Sequence, residues 1–504
     1  MPIPLLHTVL SWFLKKRVHQ IELFLKYPNE VQEEVLQKLV AQAKNTDFGR
    51  KHGFGSIKSY EDFTNQVPLA TYEDLANLIE RTRKGEQNLF WPTPIKWFAK
   101  SSGTTNAKSK FIPISKESLE DCHFKAGKDM LSLYFNNNED SKLFQGKALR
   151  LGGSRALYED NNTYFGDLSA IIIDNLPLWA ELASTPSHKV SMMDEWESKM
   201  EAIVAECINQ DITSLAGVPS WMLVLLQRVL KESGKENLIE LWPNLEVYFH
   251  GGVNFIPYRN EYKALFPSNK FQYYEIYNAS EGFFGIQDRN HSDEMLLMLD
   301  YGIFYEFIPM DCFGTSQQKA IRLADVVPGV SYAVVISTNA GLWRYLIGDT
   351  IRFTSTDPYR FRITGRTKHH INVFGEELVI ENAETALAKV CEKHQATVAD
   401  FTAGPVFMDE KTKGKHEWII EFHQKPEDPD RFATDLDTEL QALNSDYEAK
   451  RYKNMTLAPL QLHVARENLF YDWLKQEGKI GGQHKVPRLS NNRELLDKLL
   501  QINA

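Results

Sequence analysis

The chain is poor in the features that mark several large protein classes. Cysteine is scarce: Cys122, Cys207, Cys312 and Cys391 lie far apart, with no Cys-x-x-Cys pair. That spacing excludes a disulfide-stapled scaffold and a clustered cysteine zinc site, and it fits a cytoplasmic, reducing setting. Positive charge is not in excess. Lys and Arg number 57 against 67 Asp and Glu, a net charge of −10, the opposite of the basic footprint of a nucleic-acid-binding protein. Long apolar runs are missing. The stretch from Leu5 to Leu14 is broken by His7 and Ser11 and closed by Lys15-Lys16-Arg17, too short to span a bilayer. It has no basic leader and no small-residue cleavage site, so an amphipathic helix packed on the body is expected. A signal peptide and stable membrane insertion are not. There is no internal repeat, no low-complexity stretch and no long run of like charge.

What the chain has is length and apolar content. Its 504 residues are 43% hydrophobic and 12% aromatic, with 25% charged, enough for a large core and for roughly two to four domains. The first hundred residues read as helical. Asn29 can cap a helix carrying Val31, Val35, Leu36, Leu39 and Val40, and Thr71 can cap another with Glu73 and Asp74 in its first turn. From Ile95 onward short apolar runs alternate with helical stretches. The strand-like runs are Lys96 to Phe98, Phe111 to Ile114, Glu246 to His250, Gln272 to Tyr277 and Met295 to Leu299. The helical ones are Ser115 to Asn136, Met192 to Ile208 and Ser220 to Leu230. The alternation predicts an α/β architecture with helix-covered sheets. Ile303 to Phe353 reads as a β-rich subdomain. After Thr364-Gly365-Arg366 the pattern restarts: helix Glu381 to Val390, strands Pro405 to Met408 and Trp418 to Phe422, helix Pro429 to Leu443, strand Leu457 to Val464. This predicts a large domain over 1–366, a small α+β domain over 367–504, and a hinge near Arg366-Thr367-Lys368.

Four segments can carry chemistry. Ser101, Ser102, Gly103, Thr104 and Thr105 lie between two strand-like runs, with Lys108 and Lys110 just beyond. Five small residues can present backbone N–H groups and hydroxyls to phosphate oxygens, although no Gly-Lys-Ser/Thr makes this a Walker loop. In Tyr277-Asn278-Ala279-Ser280-Glu281-Gly282, Ser280 can donate to a phosphate. Glu281 can hold Mg²⁺, a hard cation that bridges carboxylates to nucleotide phosphates, and Tyr277 can stack on a base. Asp349 follows Gly348 at a strand end, where a carboxylate can accept from a ribose diol. His250-Gly251-Gly252 follows a strand, and its glycines permit close approach to a ligand. Alone, each also reads as an ordinary turn or a structural residue.

Their order is more telling. A hydroxyl-rich loop, a Gly-Gly strand end, Tyr-x-x-Ser-Glu, Gly-Asp, Gly-Arg and a small C-terminal domain together resemble the adenylate-forming superfamily of acyl-CoA synthetases, adenylation domains and luciferases. Within it the chain is most similar to the acyl acid–amido synthetases, known in plants as the auxin-responsive Gretchen Hagen family. Ser101 to Thr105 resembles that family's first nucleotide motif, Tyr277 to Gly282 its second and Tyr345 to Asp349 its third. His250 to Phe255 and Thr364-Gly365-Arg366 also look like family segments. The likeness spans about Phe90 to Leu496. Two departures point to a member from outside plants. Leu346 stands where the plant motif carries Arg after the Tyr, with Arg344 before it. The segment Asn372 to Glu377 lacks the Lys that plant enzymes place there.

The resemblance implies a two-step ligase. A carboxylate attacks the α-phosphate of ATP, and an amine, of an amino acid, then displaces AMP. It implies Glu281, Thr104 and a late lysine, Lys485 with Lys479 as alternative, as catalytic groups, with Mg²⁺ on Glu281. Ser101 to Thr105, Gly251, Gly252, Tyr277, Asn278, Ala279, Ser280, Asp349 and Arg366 would bind nucleotide. The small domain would be mobile. For the acid's pocket, Lys116 to Leu133 and Phe165, Trp179, Trp221 and Phe255 are lining candidates. Lys125, Lys128 and Arg150 are cation candidates among which spacing does not choose. Two alternatives share the early motifs: an acyl-CoA synthetase, and a non-catalytic protein that binds nucleotide or acyl ligand.

Overall fold

A computed structural model describes residues 16–101, 110–152, 158–160, 162–176, 178–193, 196–252, 255, 258–367, 370–371, 378–406, 414–444, 447–448, 451, 457–479, 485–490 and 493–503. Two compact units divide the chain. One takes Met1–Gly252, Phe266–Ile347 and Ile351–Ile363; the other takes Val253–Leu265, Gly348–Thr350 and Thr364–Ala504.

The first unit is built on a twelve-stranded sheet. Five strands run parallel, in the order Ser184–Thr185, Lys147–Leu151, Ile212–Gly217, Val247–Gly251 and Gln272–Ala279. Parallel strands need crossovers, and helices such as Trp196–Cys207 and Pro219–Ser233 supply them. Helices on both faces explain why Val247–Gly251 is buried along its whole length. Beyond Gln272–Ala279 the sheet turns antiparallel through Gly282–Ile286 and Met295–Leu297. It continues through Tyr359–Arg366, Tyr345–Thr356, Ser331–Thr338 and Ile303–Pro309 to an outermost Ile321–Arg322. This is the β-rich region expected from Ile303 onward. A smaller four-stranded sheet pairs Trp97–Ser101 antiparallel with Lys110–Ile114 and parallel with Thr163–Gly166.

The helical start is also found. Leu5 to Leu14 lies outside the described residues, but the helical residues after it bury Ile21 and Phe24. Arg17 Nε donates to Asp129 Oδ1 at 2.7 Å. Thr71 opens the helix Tyr72–Arg83, its N–H and hydroxyl both donating to Asp74 at 2.8 Å. Asn29 does not cap. The helix Pro28–Ala43 starts one residue earlier, because Pro28 presets the first turn, and the Asn29 side chain bonds Tyr359. The single helix expected over Ser115 to Asn136 is a wider π-helical stretch, Ser118–Phe124, running into an α-helix, Lys125–Asn137.

The second unit packs helices Ile380–His394 and Pro429–Leu443 on a sheet of three strands, Thr397–Val406, Lys415–Gln424 and Gln461–Val464. Its core holds Leu387, Phe401, Trp418, Phe432 and Leu436. Asp428 caps the second helix, accepting from Asp430 and Arg431 N–H at 3.1 and 3.0 Å. The strand expected over Pro405 to Met408 starts earlier, at Thr397; Phe407 and Met408 lie outside the described residues. Asp400, Gly404 and Pro405 look like breakers, yet a ten-residue strand carries all three. A register shift falls between Val398 and Asp400, while Gly404 and Pro405 stay in register with Glu417 and His416.

Candidate active site

In parallel sheets, ligands bind beyond the carboxyl ends of the strands. Here those ends are in register: Leu151 pairs with Gly217, Gly217 with His250, and Gly251 with Ile276. The expected glycine pair and Tyr-x-x-Ser-Glu segment therefore share one edge of the first unit. The structure places their residues differently from one another. Gly251 is a packing glycine, since a Cβ there would sit 2.3 Å from the Ile276 carbonyl oxygen. Gly252 is exposed and sits at φ +84°, the left-handed region that favours glycine. His250 is buried, its ring 5.3 Å from that of Tyr248. Tyr277 is 6% exposed and its ring lies 4.8 Å from Phe284 and 6.0 Å from Phe361, so it offers a base little more than an edge.

Glu281 and Ser280 form the tip of the hairpin between Gln272–Ala279 and Gly282–Ile286, with Ala279 paired to Gly282 and Asn278 to Phe283. Ser280 is buried and Glu281 half-buried. The π-helical stretch holds this hairpin: the Phe283 N–H donates to Cys122 Sγ at 3.2 Å. Burial pushes the Cys122 thiol up to about 12, so the sulfur stays a neutral acceptor. That contact carried no sequence signal, because 161 residues separate its partners. Among the described residues no group of three or more His, Cys, Asp or Glu could hold a metal ion. An all-protein cage is thus not what these residues build. A single half-buried carboxylate at a hairpin tip is the donor set that Mg²⁺ uses when substrate phosphates supply the rest.

The hydroxyl-rich loop leaves from Ser101, the last residue of its strand, and returns at Lys110, its antiparallel partner. Ser102, Gly103, Thr104, Thr105 and Lys108 lie outside the described residues. Lys110 Nζ stands 5.4 Å from the Tyr72 ring centroid.

Three expected residues come together within the second unit. Asp349, nearly buried, accepts from Arg366 Nε at 2.8 Å. Lys485 is exposed by surface area, yet desolvation by surrounding protein atoms and the Arg366 charge push its ammonium down to about 8, with Asp349 opposing. These residues come from separate segments, joined locally by Thr367 N–H donating to the Gly348 carbonyl at 2.8 Å. Lys479 is engaged elsewhere, 3.6 Å from Glu477 and over the Trp473 ring. The segment Asn372 to Glu377 lies outside the described residues.

The structure also sorts the remaining candidates. Arg344 is buried against Glu306, Nη2 to Oε1 2.8 Å and Nε to Oε2 2.9 Å, so it does not replace the arginine of the plant motif. Lys125 Nζ donates to Asp300 Oδ2 at 2.9 Å and to its carbonyl at 2.8 Å. Lys128 is exposed. Arg150 differs from both. Its Nη2 donates to the Ala180 carbonyl at 3.5 Å, and burial lowers its pKa. Phe165 packs edge-on against Phe111 at 5.5 Å, and Phe255 lies 5.2 Å from Tyr262, both in local packing. Trp221 is half-buried; the Trp179 side chain is outside the described residues. Asp349 does not stand at the strand end expected of it but inside the strand Tyr345–Thr356; sequence reasoning missed Asp167, where a Gly-Asp pair does end a strand.

Among the described residues, no helix is long and apolar enough to cross a membrane. Comparison with known proteins matches three family models in order: the GH3 family N-terminal domain over 17–271, the central domain over 296–366 and the C-terminal domain over 381–494. Indole-3-acetic acid-amido synthetase GH3.4 of Arabidopsis thaliana is 24% identical, over 94% of this chain and 91% of its own. The solved GH3.15 acyl acid amido synthetase superposes with a TM-score of 0.78 at 19% identity, covering 94% of this chain and 93% of its own. A 2-hydroxyisobutyryl-CoA ligase bound to an acyl-AMP superposes at 0.60 with 14% identity, covering 93% and 90%. The adenylate-forming fold expected from the motif order is therefore found.

Proposed function

The chain belongs to the GH3 family, and from that premise we propose that it is an ATP-dependent ligase. It adenylates a carboxylic acid and transfers the acyl group to an amine, that of an amino acid, releasing AMP and pyrophosphate. The observation that carries this reading is the grouping of Asp349, Arg366 and Lys485. A carboxylate for a ribose diol and two cations for phosphates are what a nucleotide requires.

The first step brings two anions together, so the protein's task is positioning and charge stabilisation. Ser101, Ser102, Gly103, Thr104 and Thr105 donate to phosphate oxygens, and Ser280 adds a hydroxyl. Asp349 accepts from the ribose, and Gly251, Gly252, Tyr277, Asn278 and Ala279 frame the base. Arg366 and Lys485 neutralise phosphate charge. Glu281 would hold Mg²⁺, which would supply further charge neutralisation. Residues 1–366 act as the adenylation domain and 367–504 as a lid that turns about Arg366 to Lys368 between the two steps. Arg150 is the cation for the acid's pocket, since Lys125 is engaged by Asp300.

The test is carboxylate-dependent ATP–pyrophosphate exchange with Mg²⁺ across aryl, indolyl and fatty acids. Wild type should exchange with at least one acid, and Glu281→Ala should lose about 10²–10³ in rate, the cost of one preorganised stabilising group. ATP binding without exchange on any acid would sink the ligase reading. The CoA ligase fold neighbour makes a thioester-forming enzyme the second reading. AMP release that depends on an amino acid, and not on CoA, separates the two.

A further inference from the structure

Asp167 has no structural role that accounts for it. It follows the strand Thr163–Gly166 and precedes the helix Leu168–Asp174, where an aspartate ordinarily caps. Its side chain makes no capping hydrogen bond. Oδ2 is shut away from solvent, and among the described residues no donor reaches it. Leaving a buried acceptor unsatisfied costs stability, and such a group calls for an explanation. Burial pushes this carboxyl up to about 6, with Lys100 and Lys199 pulling it back.

Its position is specific. The parallel register Phe98 to Phe165 and Ala99 to Gly166 sets Lys100 beside Asp167. One residue further, Ser101 leads into the hydroxyl-rich loop. On the other side, a Cβ on Gly152 would meet Ile173 at 3.3 Å and Ser169 Oγ at 3.4 Å. The helix that Asp167 precedes therefore lies against the chain just past Leu151, at the carboxyl edge of the large sheet. Asp167 stands where that edge and the phosphate loop's strand converge, all within the first unit.

We propose that Asp167 binds the amino group of the acceptor and takes its proton as the amide forms. This rests on the ligase reading. An amino acid arrives as a zwitterion, and Asp167 with Lys100 beside it offers a carboxylate for the ammonium and a cation for the α-carboxylate. Binding releases one proton to solvent, leaving a neutral amine. The nitrogen lone pair bonds to the acyl carbon, and the bond from that carbon to the phosphate oxygen breaks, its electron pair leaving on AMP. The nitrogen's surplus proton passes to the Asp167 carboxylate. The products are the amide, AMP and a protonated Asp167.

The test compares wild type with the near-isosteric Asp167→Asn in three assays. Pyrophosphate exchange should stay within about twofold, because adenylation does not use the amine site. Amino-acid-dependent AMP release should fall about 10²-fold or more in kcat/KM, within the range for a positioned base. AMP release driven by hydroxylamine, neutral at neutral pH and in no need of an ammonium site, loses only the base and should fall at least tenfold less than amino-acid-dependent release. Unchanged amino acid kinetics overturn the proposal. So does an equal loss with hydroxylamine, or a collapse of exchange in the variant, since either makes Asp167 a structural or adenylation residue. Absence of exchange in wild type on every acid removes the ligase reading, and the proposal with it, without reference to the variant.

Discussion

Arg344 sits at φ +44°, an unusual conformation for a residue with a Cβ. It is held by two bonds to Glu306 and one to the Val67 carbonyl at 2.7 Å. Glu306 also accepts from the Tyr60 hydroxyl at 2.8 Å. Replacing Arg344 with Met leaves that carboxylate buried without its cation, and urea unfolding should show a loss of about 3–5 kcal/mol. A loss under about 1 kcal/mol would refute the structural assignment. From sequence alone this arginine was noted only as the residue before Tyr345, because its partner lies 38 residues away. Lys485 is the opposite case: the family resemblance implied a late phosphate cation, with Lys485 as its candidate, and the structure supplies Asp349 and Arg366 as neighbours. An ammonium titrating at about 8 is charged below that pH and neutral above it. Exchange should therefore decline as pH rises through about 8, and Lys485→Arg, whose cation persists, should move the decline upward. A decline unmoved in the arginine variant would assign it to another group.

Elements were legible where one face alternates or a cap is local. Thr71 with Asp74 needs only four consecutive residues to be recognised, and the structure has that cap. The start of the strand Thr397–Val406 was not legible, because Gly404 and Pro405 look like breakers yet pair in register with Glu417 and His416 of the neighbouring strand. Glycines show the same limit. Gly251 reads as a ligand-approach glycine, yet the close approach is to the adjacent strand. Gly251→Ala should force the pairing of Val247–Gly251 with Gln272–Ala279 apart, at about 1–3 kcal/mol. The expected readout is a lowered midpoint in urea together with weaker exchange, as the hairpin bearing Glu281 follows the displaced strand. An unshifted midpoint would show that the sheet absorbs the methyl group.

At the scale of the molecule, order along the chain was the most informative signal. No single motif decided the fold, but their order did: the glycine pair and the Tyr-x-x-Ser-Glu hairpin share one edge of the first unit, whereas Gly348 and Asp349 lie within the strand Tyr345–Thr356. What order could not show is which distant residues complete each site, Asp167 and Cys122 among them. The two units have separate cores, one including Leu36, Phe63 and Trp343 and the other Phe401, Trp418 and Phe432. Phe432→Ala should cost about 3–5 kcal/mol in its own unit. Calorimetry should show a low-temperature transition carrying only part of the total unfolding enthalpy. A single transition shifted as a whole would mean that the units unfold together.

The large sheet has one more consequence. Its outermost strands, Ser184–Thr185 and Ile321–Arg322, are two residues long. An open sheet ordinarily invites another chain to add on along its free rim. Here a twelve-stranded sheet offers an intruder almost nothing to pair with at either rim. Growth by strand addition is closed off without the sheet ever closing on itself.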